Sequence, residues 1–463
     1  MILHILGILV GYRTFVPFVS VAVRSVCGMS ALQEPPTVEP PSADPVTAQL
    51  DEMLEELAAV VADNSPISDA HRIDRIARLE KLRAVTAAVQ AAESVRFAQS
   101  QVGEQMAANV HPDAIGRGIA EQIGLACRIA PAVAARRLNT ARAWWFELPD
   151  TYRQLVSGEL RERVAETVVS ETRHLDSEKR GQVDEQLKAA GLSRMGFKAA
   201  TSWIRKTTYE ADRDGYVRRG RTERKHRRIG IRPAPDTMAI LSGYLPVEQG
   251  IACYAALGKH ADSAVASGDG RTRDQIMADT LVERLTGQTG AGDVNVELQI
   301  MMPLEALLDP DSDKPATIPG YGPLPADFAR EILITSTGRT WWRRLFTAPS
   351  GVKGKSGPVV GGDSRRRCFE GWLADLITLR DQACRNPFCG APIRHIDHIT
   401  RHTDGGPTSY SNGRGACQRC NYSREMPGWQ INVINARLLD QAHTMIITTP
   451  TGHHYLSSAP DPP

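Results

Sequence analysis

Apolar positions recur first at helical spacing. Val46, Leu50, Met53, Leu54, Leu57, Val60 and Val61 mark one face of a helix beginning after residue 45, and Asn64-Ser65-Pro66 breaks it. A second long helix follows, with Ile73, Ile76, Leu79, Leu82, Val85 and Val89 as its stripe and a charged, alanine-rich opposite face. Both stripes are expected to pack as core between helices. From Gly116 to about Leu187 the pattern shortens into several helices punctuated by Pro131, Pro149 and Gly158. Within it, Ala120 to Ala143 has the form of a helix-turn-helix, with a break at Ile129-Ala130-Pro131 and Arg136, Arg137 and Arg142 on the second helix. DNA-reading helix pairs place basic residues there, and structural helical hairpins share the pattern, so both readings stand. Asp236 to Leu285 reads as helical again, broken at Leu245-Pro246 and Gly268-Asp269-Gly270. The period then changes: Val294, Val296, Leu298, Ile300 and Met302 alternate with polar residues, as in a strand. A Pro/Gly-rich connection (Pro315 to Pro325), a short helix (Ala326 to Leu333) and a turn-like stretch (Gly351 to Asp363) lead through Arg365 to Thr378 into a last module.

The expected fold is mainly α with a smaller α+β part. Its divisions are an N-terminal segment 1–45, a helical domain 46–290, a mixed connection 291–376, a compact module 377–430 and a tail 431–463. A chain of 463 residues exceeds one ordinary domain. Its 55 basic and 53 acidic residues leave a net charge of +2, so overall charge does not announce a nucleic-acid partner and local runs must. The densest run holds Arg218, Arg219, Arg221, Arg224, Lys225, Arg227, Arg228 and Arg232. It suits phosphate contact, or a solvated strand or loop whose charges pair with nearby acids. The apolar runs Met1 to Val10 and Phe15 to Val23 fall short of the ~20 residues a membrane span needs, and no basic residue precedes the first. Translation from Met29 accounts for them more simply, with a Pro-rich, disordered stretch to Pro45 behind it. The mass of the native N-terminus tests this, and a mature chain carrying Met1 would refute it. A cytoplasmic location and no membrane partner are expected.

The eight cysteines divide into two close pairs and four scattered residues, an arrangement unlike a secreted disulfide scaffold. The pairs are Cys384-x4-Cys389 and Cys417-x2-Cys420, and between and beside them stand His395, Asp397, His398, Asn412 and Asn421. Four thiolates suit one closed, structural Zn²⁺. The Asp, His and Asn residues are harder donors, suited to a second, open cation such as Mg²⁺ or Mn²⁺. A zinc-stapled module with an open hard-metal site beside a histidine reads as a phosphodiester-cleaving centre. About 37 residues are too few for a core alone, so metal binding is expected to stand in for one.

The segment Cys384 to Trp429 resembles an HNH nuclease domain of the ββα-metal type. The resemblance rests on Asp397-His398, Gly405-Gly406, Asn412 and Cys417-x2-Cys420-Asn421, with Asn421 in place of the final His. Roughly Val46 to Leu376 is similar to the helical domain of the actinobacterial 13E12-repeat family, through Arg128-Ile129-Ala130-Pro131, Ala135-Arg136-Arg137-Leu138, Leu148-Pro149 and Ala234-Pro235-Asp236-Thr237-Met238. The tail from Thr449 onward resembles that family's C-terminal end.

The resemblance implies a metal-dependent endonuclease hydrolysing DNA, double-stranded DNA foremost. His398 would be the general base, Asp397 and Asn421 the ligands of the hard cation, and Asn412, grouped with His398 in the catalytic set, a brace for the loop that orients it. His395 would stand behind the site or touch phosphate, and Arg394, Arg401, Arg414 and Arg419 are candidate phosphate partners. His395, His398 and His402 are not expected to form a zinc triad, since four thiolates already satisfy one ion. A homo-oligomer paired through the long N-terminal helices is a further expected partner. The alternative is a DNA-binding or regulatory protein with a degenerate nuclease module, and a zinc-ribbon interaction protein ranks third.

Overall fold

The computed structural model describes residues 44–62, 66–287, 300–309, 311–312, 314–318, 321–335, 363–364, 368–435 and 442–460. The expectations for a start at Met29, for the Pro-rich stretch to residue 43, for alternation over 294–298 and for the turn-like residues 351–362 lie outside these. Two compact units divide the chain, Met1–Arg72 and Ile73–Pro463.

In the first unit, α1 (Pro45–Ala62) starts where the Asp44 carboxylate accepts from the amides of Val46 and Thr47 at 2.9 and 3.2 Å. Its apolar stripe was expected to be core, yet every residue of α1 is exposed, Val61 at 88%. Among the described residues of its own unit, only the first turn of α2 (Asp69–Ala107) is available, too little to cover it.

The second unit continues α2 and adds α3 (Ile119–Ala126), α4 (Pro131–Glu147), α5 (Pro149–Val156), α6 (Glu162–Thr172), α7 (Ser177–Ala189), α8 (Phe197–Ala211) and α9 (Arg213–Glu223). Pro131 and Pro149 each occupy a first helical turn, where a missing amide hydrogen costs nothing. The face that α2 buries is the alanine face, Ala84, Ala88, Ala91, Ala92, Val95 and Ala98, while Ile73, Ile76, Leu79 and Val89 stay exposed. This reverses the expectation from the stripe. Small side chains let neighbouring helices approach closely enough for the Tyr152 hydroxyl to donate to the Ala88 carbonyl at 3.0 Å. Trp144, Leu155, Val168, Leu187 and Ile204 complete this core.

Next, β1 (Arg228–Pro233) pairs antiparallel with β2 (Ala239–Tyr244), so the expected helix from Asp236 begins later, at α10 (Val247–Ala266). Asp236 and Thr237 take φ of 59° and 61°, the left-handed pair of a tight hairpin turn. The basic run is partly absorbed here: Arg219 bonds the Glu171 and Ser170 carbonyls, and Arg224 pairs with Glu248 at 2.6 Å. Beyond α10 come α11 (Arg273–Thr286), α12 (Leu304–Leu308), β3 (Ala316–Ile318), β4 (Gly322–Leu324) and α13 (Ala326–Thr335). Ile300 and Met302, the described end of the alternating stretch, pack on the small core of Ala316, Leu324 and Ala329.

The C-terminal part holds β5 (Asp363–Ser364), α14 (Gly371–Asp381), β6 (His395–His398), β7 (Thr408–Ser409), β8 (Gly413–Ala416) and α15 (Gln418–Ser423). The meander β9 (Gln430–Asn435), β10 (Thr444–Thr448) and β11 (His454–Ser458) follows. The hairpin β6–β8 followed by α15 is a ββα unit. The fold is thus mainly α with a smaller α+β part, and no described helix is long and apolar enough to cross a membrane.

Candidate functional site

Strand β6 runs antiparallel to β8 with Asp397 opposite Arg414 and His398 opposite Gly413. Neighbours on a strand face opposite ways, so Asp397 and His398 leave β6 on different sides. Asp397 Oδ2 accepts from Arg414 Nε and Nη2 at 3.1 and 2.9 Å and from Arg424 Nη1 at 2.6 Å. Arg424 also donates to the carbonyls of His398 and Ile399, so it ties this strand to the end of α15. Burial alone would raise the Asp397 carboxyl, but the Arg414 and Arg424 guanidiniums outweigh it and hold it below the usual range. Asp397 is therefore an ionised carboxylate at neutral pH. Its Oδ1 has no hydrogen bond among the described residues.

On the other side, His398 Nε2 lies 2.9 Å from the Thr408 hydroxyl, and its ring packs 4.5 Å from that of Phe369 and 5.6 Å from that of His402. Asn412 stands just before β8, and its backbone carbonyl accepts from Ile399 N at 2.7 Å. It is buried, and its side chain closes the loop between β6 and β7: Oδ1 accepts from Thr400 N at 2.8 Å, and Nδ2 donates to the carbonyls of Thr400 and Pro407 at 3.0 and 2.8 Å. Pro407 precedes Thr408, so the loop that Asn412 closes is the one carrying the hydroxyl that faces His398. Gly406 is required there, because a Cβ would sit 1.9 Å from the Thr400 carbonyl oxygen.

Short α15 packs against β6 and carries Asn421, whose side chain is half-buried and has no hydrogen bond among the described residues. The candidate arginines separate. Arg394 is exposed with no ion pair among the described residues, whereas Arg401 pairs with Glu425 at 3.1 Å. Arg414 is fully buried against Asp397, out of reach of a phosphate, and Arg419 is bound to the buried carboxylate of Glu121 on α3. His395 faces Tyr422, 6.3 Å between rings, and the alternation of β6 keeps it away from His398.

The four paired cysteines are buried with their sulfurs all within 4.8 Å of one another. Cys389 and Cys420 each come 3.7 Å from a second sulfur, too far for a disulfide. Four donors placed tetrahedrally about 2.3 Å from one ion lie about 3.8 Å apart, so the spacing fits a metal. Contact with Cys389 pushes the Cys384 thiol down to about 7, and contact with Cys384 holds Cys417 lower still. Contacts with Cys384 push Cys389 and Cys420 up. Four sulfurs at this range cannot all ionise without a cation among them.

Beneath the site lies a charge network that spacing did not reveal. Asp381, at the end of α14, is buried with Arg380 and Arg385 and accepts from Gly415 N at 2.6 Å. Burial works against the Asp381 charge, and Arg380 and Arg385 more than restore it. Arg385 reaches the carbonyls of His443 and Ser457 at 2.9 and 2.7 Å, fastening the meander to the cysteine module. His443 Nε2 donates to the Ser411 carbonyl at 2.7 Å, and burial together with the Arg380 charge pushes its pKa down from 6.5 to about 4. Above pH 6.5 the ring is neutral in folded and unfolded chains alike. As pH falls, the unfolded ring takes a proton that the folded ring refuses until about 4, and stability drains away across that window. The expected loss is about 2 kcal/mol by pH 5. Denaturant unfolding at pH 7.5 and 5 should show a smaller loss for His443→Gln than for the parent; equal losses would clear His443.

Of the described residues outside the expected set, Arg424, Thr408 and Glu121 matter most. Only Arg424 had a usable signal, since three residues after Asn421 it falls on the same side of α15.

Comparison with known families finds two matches. Residues 76–333 match the model described as Domain of unknown function (DUF222), and residues 382–425 match that described as HNH endonuclease. No curated protein and no solved structure matches the chain. The helical match covers more than half of the sequence, and the second covers the ββα unit with all four clustered cysteines, so this chain belongs to the DUF222 family and carries an HNH endonuclease domain at its C-terminal end.

Proposed function

We propose that this protein is a metal-dependent endonuclease that hydrolyses phosphodiester bonds of DNA, most readily double-stranded DNA. The observation that carries the reading is the ββα unit itself, in which β6 presents Asp397 and His398 while Asn421 comes from the helix packed on it. His398, oriented by Thr408 and supported by Phe369, takes the proton from the attacking water. Asp397 Oδ1 and the Asn421 amide oxygen are the donors available to a hard cation, Mg²⁺ or Mn²⁺. Such a cation, when bound, neutralises the phosphate and stabilises the leaving oxygen. Exposed Arg394 is the best placed of the candidate arginines to meet a phosphate. Cys384, Cys389, Cys417 and Cys420 hold structural Zn²⁺ and keep β8 and α15 in register.

Asp397 already shares its charge with two arginines, so its hold on a cation alone is weak. That pairing favours a second reading, a DNA-binding protein that keeps the module as scaffold. A supercoiled-plasmid nicking assay with Mg²⁺, Mn²⁺ or EDTA separates the two. Nicking that needs added Mg²⁺ or Mn²⁺, at constant zinc content, is the expected result. Salt-sensitive DNA binding with no cutting under either metal would establish the second reading instead.

A further inference from the structure

One side of α4 is an exposed cationic surface with no ion pair among the described residues. The turn Cys127–Ala130 joins α3 to α4, and the pair sits on α2 through Ala98, Ile119, Ile123, Ala134 and Leu138. Gly124 allows the tight angle, because a Cβ there would lie 3.0 Å from the Ile129 carbonyl oxygen and 3.4 Å from Ala134 Cβ. The two helices divide their tasks. On α3, Glu121 binds Arg419 of the nuclease domain and Gln122 accepts from the Thr451 hydroxyl of the following meander at 3.0 Å, so this helix is clamped to the C-terminal part.

α4 turns a polar row outward. Arg136, Asn139 and Arg142 recur every third residue and are all exposed, and Arg128 stands exposed in the turn. None of the four has a side-chain hydrogen bond or ion pair among the described residues. Between Cys127 and Phe146 the chain has no Asp or Glu. Arg137 lies apart, near Cys127 and Glu166. A solvated helix usually mixes signs and pairs its charges, as Arg173 with Glu223 and Arg224 with Glu248 do at the end of α9. Arginine matches the acceptor edge of guanine and asparagine the mixed edge of adenine, and the major groove admits one helix.

We propose that α4 is the DNA-reading helix of this chain. Arg136, Asn139 and Arg142 enter the major groove of a duplex while Arg128 meets the adjoining phosphate. The clamp of α3 onto α15 then sets the cleavage site at a fixed distance along the same DNA. This rests on DNA being the substrate of the nuclease reading, but binding is measured apart from cutting.

The test uses the full chain and a fluorescent 30-base-pair duplex, with anisotropy read over a range of KCl without added Mg²⁺ or Mn²⁺. The variant Arg136→Ala/Asn139→Ala/Arg142→Ala is compared with Arg194→Ala/Lys198→Ala, which removes the same charge from exposed positions outside α4. The first should bind about tenfold or more weakly than the parent with a shallower salt dependence, and the second near parent level. Equal affinity of the two variants overturns the proposal, as does equal competition by single-stranded DNA or RNA. If no metal supports cutting yet duplex binding falls only in the triple variant, the nuclease reading fails and this inference stands. If the parent cuts and the triple variant binds and cuts like the control, the reverse holds.

Discussion

His398→Ala is expected to lower the rate of DNA strand cleavage by about 10²–10⁴-fold, the usual contribution of a positioned general base. The ring is held on two sides, by the Thr408 hydroxyl at 2.9 Å and by the Phe369 ring at 4.5 Å, so its orientation is built into the fold. Removing a half-buried ring also leaves a gap against Phe369. Cleavage must therefore be measured beside zinc content and thermal stability. An inactive variant that keeps its zinc and most of its stability assigns the chemistry to the imidazole. A variant that cuts within tenfold of the parent would remove His398 from the mechanism.

The second large effect is expected from Cys417→Ser. Cys417 caps the N-terminus of α15, with its sulfur 3.4 Å from the Cys420 amide, and contacts Cys389 at 3.7 Å. A serine hydroxyl is a poor ligand for a soft ion. Losing one of four thiolates should cost the module most of its metal, and in small metal-stapled modules that binding energy is largely the folding energy, about 10–16 kcal/mol in zinc-finger peptides. The apolar cluster of Leu373, Leu376, Ile377 and Tyr410 is too small to replace it. Zinc per chain should fall well below one and cleavage should disappear. The helical signal in circular dichroism should largely persist, because the core around Trp144 and Val168 draws only on the helical region. Full zinc content in the variant would mean that Cys417 is not a ligand.

What could be read from the sequence depended on whether neighbours in the chain or neighbours in space carried the signal. The cysteine pairs and the prolines that start α4 and α5 are local patterns, and the described elements match them. The buried face of α2 was misread because its alanines look unremarkable beside Ile73, Ile76 and Leu79, whereas close packing favours the small residues. The β1–β2 hairpin was missed because Asp236 and Thr237 carry no glycine to advertise a left-handed turn. Asp381, Arg385, Arg414 and Arg424 resemble surface charges in sequence. Only tertiary structure brings them together in the interior, burying Arg414 against Asp397 and pairing Arg419 with Glu121.

The contact between Arg419 and Glu121 has a consequence for how such proteins can be rearranged. Arg419 stands two residues from Asn421 on α15, and its partner is a carboxylate buried in the helical region. Met426 and Trp429 seat against Gly118 beside it. The C-terminal end is therefore not a detachable cassette. Grafted onto another carrier, it would expose a face that evolved under cover and lose the anchor of the helix bearing Asn421. Exchange between related chains should succeed only when α3 travels with the domain it grips.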